Sequence, residues 1–89
     1  MTLGPIGLGL EQKLREHFVP IELNVIDESD QHHGHSGSHP SGESHFRVKI
    51  TAEAFRGVSR VQQHRLVNML LAEELKTRVH ALALETKSP

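Results

Sequence analysis

The sequence has no cysteine, tryptophan or tyrosine among its 89 residues. Without cysteine, the chain cannot form disulfides, a thiolate zinc site or an iron–sulfur cluster held by its own cysteines alone. Three phenylalanines are the only aromatic residues, so the core must be built mainly from Leu, Val and Ile. No apolar run approaches the ~20 residues that cross a bilayer, and we expect no contact with membranes.

Length and charge exclude further classes of function. A chain of this length forms one domain, residues 1–89, and buries about 60–65% of its unfolded surface, which leaves little room for a closed active site. The net charge is −1 with histidine neutral, so no overall field attracts nucleic acid. The first residues lack the basic start of a signal peptide, and no phosphate-binding glycine loop follows a strand. We expect a cytoplasmic protein that is monomeric alone and is not an enzyme.

Hydrophobic spacing predicts a first helix. Leu10, Leu14 and Phe18 recur at i, i+4 and i+8 with charged residues between them, which is typical of an amphipathic helix. Glycines and a proline precede this run, so we expect the helix to begin near Leu8 and residues 1–7 to be disordered. Val19-Pro20 ends the helix, because the residue before a proline is pushed out of the helical region.

Alternation of apolar and polar residues predicts two half-buried strands, in IELNVID and HFRVKIT. The polar stretch between them, residues 30–44, reads as a long, mobile hairpin loop. In the second strand we expect the residues between the inward-facing ones to point outward. The expected inward set is Ile21, Leu23, Val25, Phe46, Val48 and Ile50, and the outward set includes His45, Arg47 and Lys49.

The rest of the chain predicts one long helix and a last strand. Ser59 is a suitable N-cap for RVQQHRLVNMLLAEEL, and VHALALET follows as a strand. A strand–helix–strand crossover is right-handed, which makes the last strand parallel to the second. The fold class is therefore α+β, with the order α-β-β-α-β, a three-stranded mixed sheet and helices on one face.

Histidine is unusually frequent, with eight residues in the chain. Neutral imidazole is the commonest metal ligand in proteins. The string HHGH supplies His32, His33 and His35 to the predicted loop, where they form either a zinc or nickel site or a solvated segment that binds divalent metals weakly. His64 shares an apolar stripe with Val67 on the long helix, so it is either a core or half-buried residue or a ligand.

Residues 47–65 form a basic run with Glu53 as the single acidic residue. The run predicts either a nucleic-acid-binding patch or ordinary solvated charge. Any binding to DNA would depend on phosphate contacts and would weaken steeply with salt. The candidate residues are Arg47, Lys49, Arg56, Arg60 and Arg65.

Four strings resemble the BolA family in order and spacing: VIDESDQHHGH, GESHFRVKI, FRGVSRVQQHRLVNMLLAEEL and VHALALET. The resemblance runs from about Leu10 to Thr86 and implies a fold similar to the class II KH fold. It also implies a monothiol glutaredoxin as partner, with a 2Fe-2S cluster shared at the interface. Some bacterial members are described as DNA-binding transcription regulators that affect cell shape and stress response.

Carried over by position, the resemblance implies two histidine ligands. One falls on His64 in QQHR and the other on His32 in DESDQH, with the neighbouring His33 and His35 as alternatives. The partner's cysteine and glutathione would supply the sulfur ligands, so the isolated chain would hold no cofactor. The chain would then act as a non-enzymatic iron–sulfur adaptor, and DNA binding through the basic run is the alternative.

Overall fold

The structure is a computed structural model that describes residues 3–29 and 43–89. Its element order is the predicted α-β-β-α-β, except that the second helix is divided in two. A short 3-10 turn, Glu53–Phe55, precedes this divided helix. The elements are α1 (Pro5–Phe18), β1 (Glu22–Asp27), β2 (His45–Thr51), α2 (Arg60–Leu70), α3 (Ala72–Thr77) and β3 (Ala81–Lys87).

The sheet has the order β1-β2-β3, with β2 at its centre. β1 is antiparallel to β2, and Val25 lies opposite Val48. β3 is parallel to β2, and Leu84 lies on the other side of Val48. The predicted mixed sheet and the parallel direction of the last strand are therefore confirmed.

The predicted phase of β2 is confirmed for its apolar residues, since Phe46, Val48 and Ile50 are all buried. Lys49 is exposed on the opposite face. His45 belongs by alternation to the same side as Lys49, but it is buried, since only 8% of this residue is exposed. Alternation predicts the side of a strand on which a residue lies, but not what covers that side.

The N-terminal part of β1 also differs from the prediction. Ile21 was expected to face inward, but it is 61% exposed and lies one residue before the strand begins. Its backbone N–H donates to the carbonyl of Thr51 at 2.8 Å, so the backbone extends the sheet while the side chain remains in solvent.

The helices cover one face of the sheet, as predicted. Leu10 and Leu14 of α1 and Val67 of α2 are fully buried in the same core cluster as the inward residues of β2. Phe55 of the 3-10 turn packs against Phe18 with ring centroids 5.1 Å apart, and it closes the core beyond the end of β2.

The first helix begins at Pro5 rather than near Leu8, so the prediction of disorder is wrong for residues 5–7; residues 1 and 2 lie outside the described part. Proline is well suited to the first helical position, because its fixed φ matches the helix and the N–H it lacks would have no partner there. Gly7 is buried in the first turn, and its N–H donates to Glu43.

The second helix breaks at Leu71, whose backbone (φ −98, ψ 15) leaves the helical region and separates α2 from α3. Leu71 itself is fully buried. The Lys13 ammonium lies 2.8 Å from the carboxylate of Glu74 and so ties α1 to α3. The predicted N-cap is confirmed, since the Ser59 hydroxyl accepts a hydrogen bond from the N–H of Gln62.

Residues 30–42, which make up most of the histidine-rich segment, lie outside the described residues. The prediction that this segment is mobile concerns these residues and stays a prediction. The last two residues of the predicted loop are described, and both make tertiary contacts. Glu43 accepts the hydrogen bond from α1, and Ser44 is 2% exposed. Among residues 3–29 and 43–89, no helix is long and apolar enough to span a membrane.

Candidate metal site and basic groove

The base of the histidine-rich segment is a cluster of short hydrogen bonds. The Ser29 hydroxyl accepts bonds from the backbone N–H groups of Ser44, at 2.9 Å, and His45, at 3.3 Å. Asp27 accepts a bond from the N–H of Ser29 at 2.9 Å. These contacts bring together the residues on either side of the segment, so its two ends are fixed at one end of the sheet.

His80 joins this base because β3 is parallel to β2. The carbonyl of Ser44 accepts bonds from the N–H groups of His80, at 2.7 Å, and Ala81, at 3.1 Å. The imidazole of His80 is exposed, and its ring centroid lies 5.2 Å from that of His45. The Nδ1 atom of His45 lies 2.8 Å from the Ser44 hydroxyl. An exposed imidazole therefore lies beside the base of a segment that contains further imidazoles.

His64 lies in a different place. It lines an open groove of about 630 Å³ formed by α2 and by the other end of the three strands, where Leu84 and Thr86 also contribute. The residue is half-buried. Within the described part of the chain, its ring nitrogens make none of the hydrogen bonds that would fix a metal ligand. This burial agrees with the expectation of a half-buried residue, and the assignment of His64 as a ligand stays a prediction.

The two sites are separated by most of the length of β3. Leu84 and Thr86 follow His80 by four and six positions, so the groove lies roughly 13–20 Å from His80 at about 3.3 Å per residue. Metal–nitrogen bonds are about 2 Å long, so two ligands of one metal lie within about 4 Å of each other. The five residues from Asp27 to His32 span at most about 18 Å when fully extended. His32 can therefore meet His80 easily, but would meet His64 only if extended along the sheet.

The residues of the predicted ligand set are thus only partly located. His32, His33 and His35 lie outside the described residues. Within residues 3–29 and 43–89, no group of three or more His, Cys, Asp or Glu side chains is arranged to hold a metal. A metal site that uses these residues needs further ligands from the segment or from a partner.

The sequence analysis did not place His80 near the histidine-rich segment. A signal was available, because the predicted parallel pairing aligns the start of β3 with the start of β2. In the structure, Ala81 lies directly beside His45. The residue before β3 is therefore bound to lie near the point where the histidine-rich segment ends.

The basic run divides into paired and unpaired side chains. Arg47 donates to Glu28 at 2.9 Å and to Glu85 at 3.1 Å, and these hydrogen bonds raise the pKa of Arg47. Arg56 donates twice to Glu53, at 2.7 and 3.1 Å. This pair raises the pKa of Arg56 and lowers the pKa of Glu53. Two of the five predicted phosphate-binding residues are therefore already bound to carboxylates.

Lys49, Arg60 and Arg65 are exposed, and none forms an ion pair with another described residue. Lys49 and Arg60 line the same groove as His64. The structure therefore brings part of the basic run together, but around this groove and not along a continuous stripe.

Comparison with known proteins gives a consistent result. The family model described as BolA-like protein matches residues 14–89. The DNA-binding transcriptional regulator BolA of Vibrio cholerae is 48% identical over 77 residues, which are 86% of this chain and 69% of that protein. The solved structure of the BolA domain of SufE1 from Arabidopsis thaliana has a TM-score of 0.89 and 43% identity, and the match covers 99% of this chain and 96% of that one.

One relative is much longer than this chain. SufE-like protein 1, chloroplastic/mitochondrial, of Arabidopsis thaliana is 42% identical over 93 residues, and the match covers 100% of this chain but 25% of that protein. The fold described here therefore occurs elsewhere as one part of a larger protein.

Proposed function

The chain belongs to the BolA family, and from this premise we propose that it is a non-enzymatic cytoplasmic adaptor that shares a 2Fe-2S cluster with a monothiol glutaredoxin. The observation that carries the proposal is the exposed imidazole of His80 at the base of the histidine-rich segment. Imidazole is a ligand of such clusters when two histidines replace two cysteines on one iron. The chain offers nitrogen ligands and no thiolate, which suits one half of a shared site.

We favour His80 over His64 as the ligand from the body of the domain. His80 is held beside Ser44 by two backbone hydrogen bonds, at the end of the sheet where the histidine-rich segment begins and ends. His64 lies at the other end, where a histidine of that segment could reach it only when extended. The second ligand would be His32, with His33 and His35 able to replace it.

The bound cluster would supply one-electron chemistry, and histidine ligation raises its potential relative to ligation by four cysteines. The contribution of this chain would be to position imidazole nitrogens. The hydrogen bonds around Ser29 and Ser44 hold the base of the segment and the backbone of His80 together before any partner binds. Such pre-organisation reduces the ordering cost of assembling the site.

The test is to reconstitute the cluster anaerobically with iron, sulfide, glutathione and a monothiol glutaredoxin, and to record the absorption and circular dichroism spectra of the mixed complex. His80→Ala should change or abolish the mixed-cluster spectrum. His64→Ala is the matched control, since it removes an accessible imidazole from the other end of the same sheet. His32→Ala should have a smaller effect than the combined replacement of His32, His33 and His35.

The outcomes separate the alternatives. If His64→Ala disturbs the spectrum and His80→Ala does not, then the ligand is the one that the family resemblance implied. If neither folded variant changes the spectrum or the stability of the mixed cluster, then neither His64 nor His80 is a ligand of the cluster. Thermal denaturation of each variant alone shows whether a lost signal reflects unfolding.

A second candidate function is DNA binding, and it is favoured by the unpaired Lys49, Arg60 and Arg65 together with the name of the Vibrio cholerae relative. Phosphate contacts by a few cations give weak binding that falls steeply with salt. Replacing Arg60 with Gln should weaken binding to duplex DNA. Replacing Arg47 should have less effect, because Arg47 is already bound to two carboxylates. Equal weakening by both variants would contradict this assignment.

A further inference from the structure

The groove beside His64 concentrates positive charge in a chain whose net charge is −1. Lys49, Arg60 and Lys87 come from three different elements, β2, α2 and β3, and all line it. None of the three forms an ion pair with another residue in the described ranges. The topology thus brings three cationic residues from three elements to the lining of one groove.

The negative charge in the groove is smaller. Its two carboxylates belong to Glu22 and Glu85. Glu85 already accepts a 3.1 Å hydrogen bond from Arg47, a cation outside the groove. Arg47 also pairs with Glu28, so it offsets the charge of Glu85 only in part. Among the described residues that line the groove, three cations face two carboxylates, which leaves a net charge of +1 and an attraction for anions.

The rest of the lining is mixed in character. His64 contributes a half-buried imidazole, and Leu23 and Leu84 contribute partly buried apolar side chains. The volume, about 630 Å³, falls within the range of about 300–1,000 Å³ that is usual for small-molecule sites. A ligand that suits this lining has an anionic group at one end and a less polar body.

We propose that the groove binds a phosphorylated small molecule of about mononucleotide size. A phosphate monoester carries about −1.5 to −2 charges at neutral pH, more than a single carboxylate. The guanidinium of Arg60 has the fork geometry that matches phosphate oxygens, and the two lysines add point charges. The body of the ligand lies against Leu84. The site is independent of the proposed cluster, because it lies at the opposite end of the sheet.

The test uses the intact ¹⁵N-labelled chain, titrated at low salt with AMP, inorganic phosphate and adenosine while amide and imidazole NMR signals are recorded. AMP should cause saturable shifts at His64, Lys49 and Thr86. Inorganic phosphate should shift the same signals with lower affinity. Adenosine, which lacks the phosphate, should leave them unchanged.

Arg60→Gln should weaken AMP binding by about tenfold or more, since a hydrogen bond to a charged group is removed. Arg78→Gln is the matched control: Arg78 is also exposed and without an ion pair among the described residues, but it lies outside the groove. The absence of saturable shifts with AMP would overturn the proposal, and so would equal weakening by both variants. Groove shifts with a single-stranded oligonucleotide, but none with AMP, would also overturn it and assign the groove to nucleic acid.

Discussion

The carboxylate of Glu43 accepts a 2.9 Å hydrogen bond from the backbone N–H of Gly7, and so caps α1 from a position 36 residues away. The local N-cap residue, Gly4, has no side chain that could accept this bond. The first N–H groups of a helix lack partners within the helix, and a negative charge near them is favourable. Glu43 therefore joins the end of the histidine-rich segment to the first helix.

Glu43→Ala should lower the free energy of unfolding by about 1 kcal/mol, the usual effect of losing a helix cap. In a domain of this size, such a loss lowers Tm by about 4–8 °C. Thermal denaturation followed by far-UV circular dichroism measures the change. Glu16→Ala is the control, since Glu16 lies exposed on the same helix. An unchanged Tm for Glu43→Ala would show that the cap contributes nothing in solution.

Gly4→Ala should act through the same hydrogen bond. A Cβ atom at Gly4 would overlap the carboxylate of Glu43, which must then move away from Gly7. We expect a loss similar to that of Glu43→Ala, and only a few tenths of a kcal/mol more when the two changes are combined. Gly9→Ala, where a Cβ meets nothing within 4 Å, should instead stabilise the helix by about 0.5–1 kcal/mol. Full additivity of the Gly4 and Glu43 changes would contradict the shared mechanism.

Gln63→Leu should be more costly than its conservative shape suggests. The buried amide donates to the carbonyls of Val58, at 2.8 Å, and Phe55, at 3.3 Å, and accepts a 2.6 Å bond from the Thr86 hydroxyl. Leucine would leave these groups without partners, and we expect a loss of about 2 kcal/mol or more. Thr86→Val, which removes one of the bonds, should cost about 1 kcal/mol.

Urea unfolding of the Gln63 and Thr86 variants measures both losses. Gln62→Leu is the matched control, because Gln62 is exposed and contributes only its backbone N–H to the cap. If Gln63→Leu proved as stable as the wild type, the apolar gain would outweigh the three hydrogen bonds.

The pair formed by Glu53 and Arg56 should give a small dependence of stability on pH. Arg56 lowers the pKa of Glu53 in the folded state. The contribution is therefore present above the unfolded pKa of glutamate, about 4.3, and is lost as pH falls through the lower folded pKa. We expect Glu53→Gln to be slightly less stable than the wild type at pH 7. The difference should shrink below about pH 4.3 and in high salt.

Urea unfolding at several pH values tests this dependence, with Glu16→Gln as the control for removal of an exposed carboxylate. A difference that grows as the pH falls would have the wrong sign and would exclude the pair as its cause.

The sequence predicts the order of elements, the central strand and its inward face, because these follow from periodicity and from the handedness of crossovers. It fails where a residue depends on a distant segment. Gly7 lies in a helix that begins early, because Glu43 supplies its cap. His45 is buried at the base of a segment that alternation cannot describe.

The candidate site shows the same limit. The spacing of apolar residues along α2 assigned His64 to a stripe, but spacing along one helix does not say at which end of the sheet a residue lies. The parallel pairing of β2 with β3 places His80 at one end of the sheet. The groove that contains His64 lies at the other end. The paired state of Arg47 also depends on partners from β3 and from the residue after β1.

The parallel pairing of β3 has a kinetic consequence. β1 and β2 follow one another directly in the order of elements. The connection between β2 and β3 is longer, because it contains the 3-10 turn, α2 and α3, and it must cross the sheet before these two strands can pair. Closing the longer connection costs more entropy, so we expect β3 to join after the barrier to folding has been crossed. His80, the residue before β3, would then belong to the last-formed part of the domain. Stabilisation by a partner at His80 should therefore slow the unfolding of this chain and leave its folding rate almost unchanged.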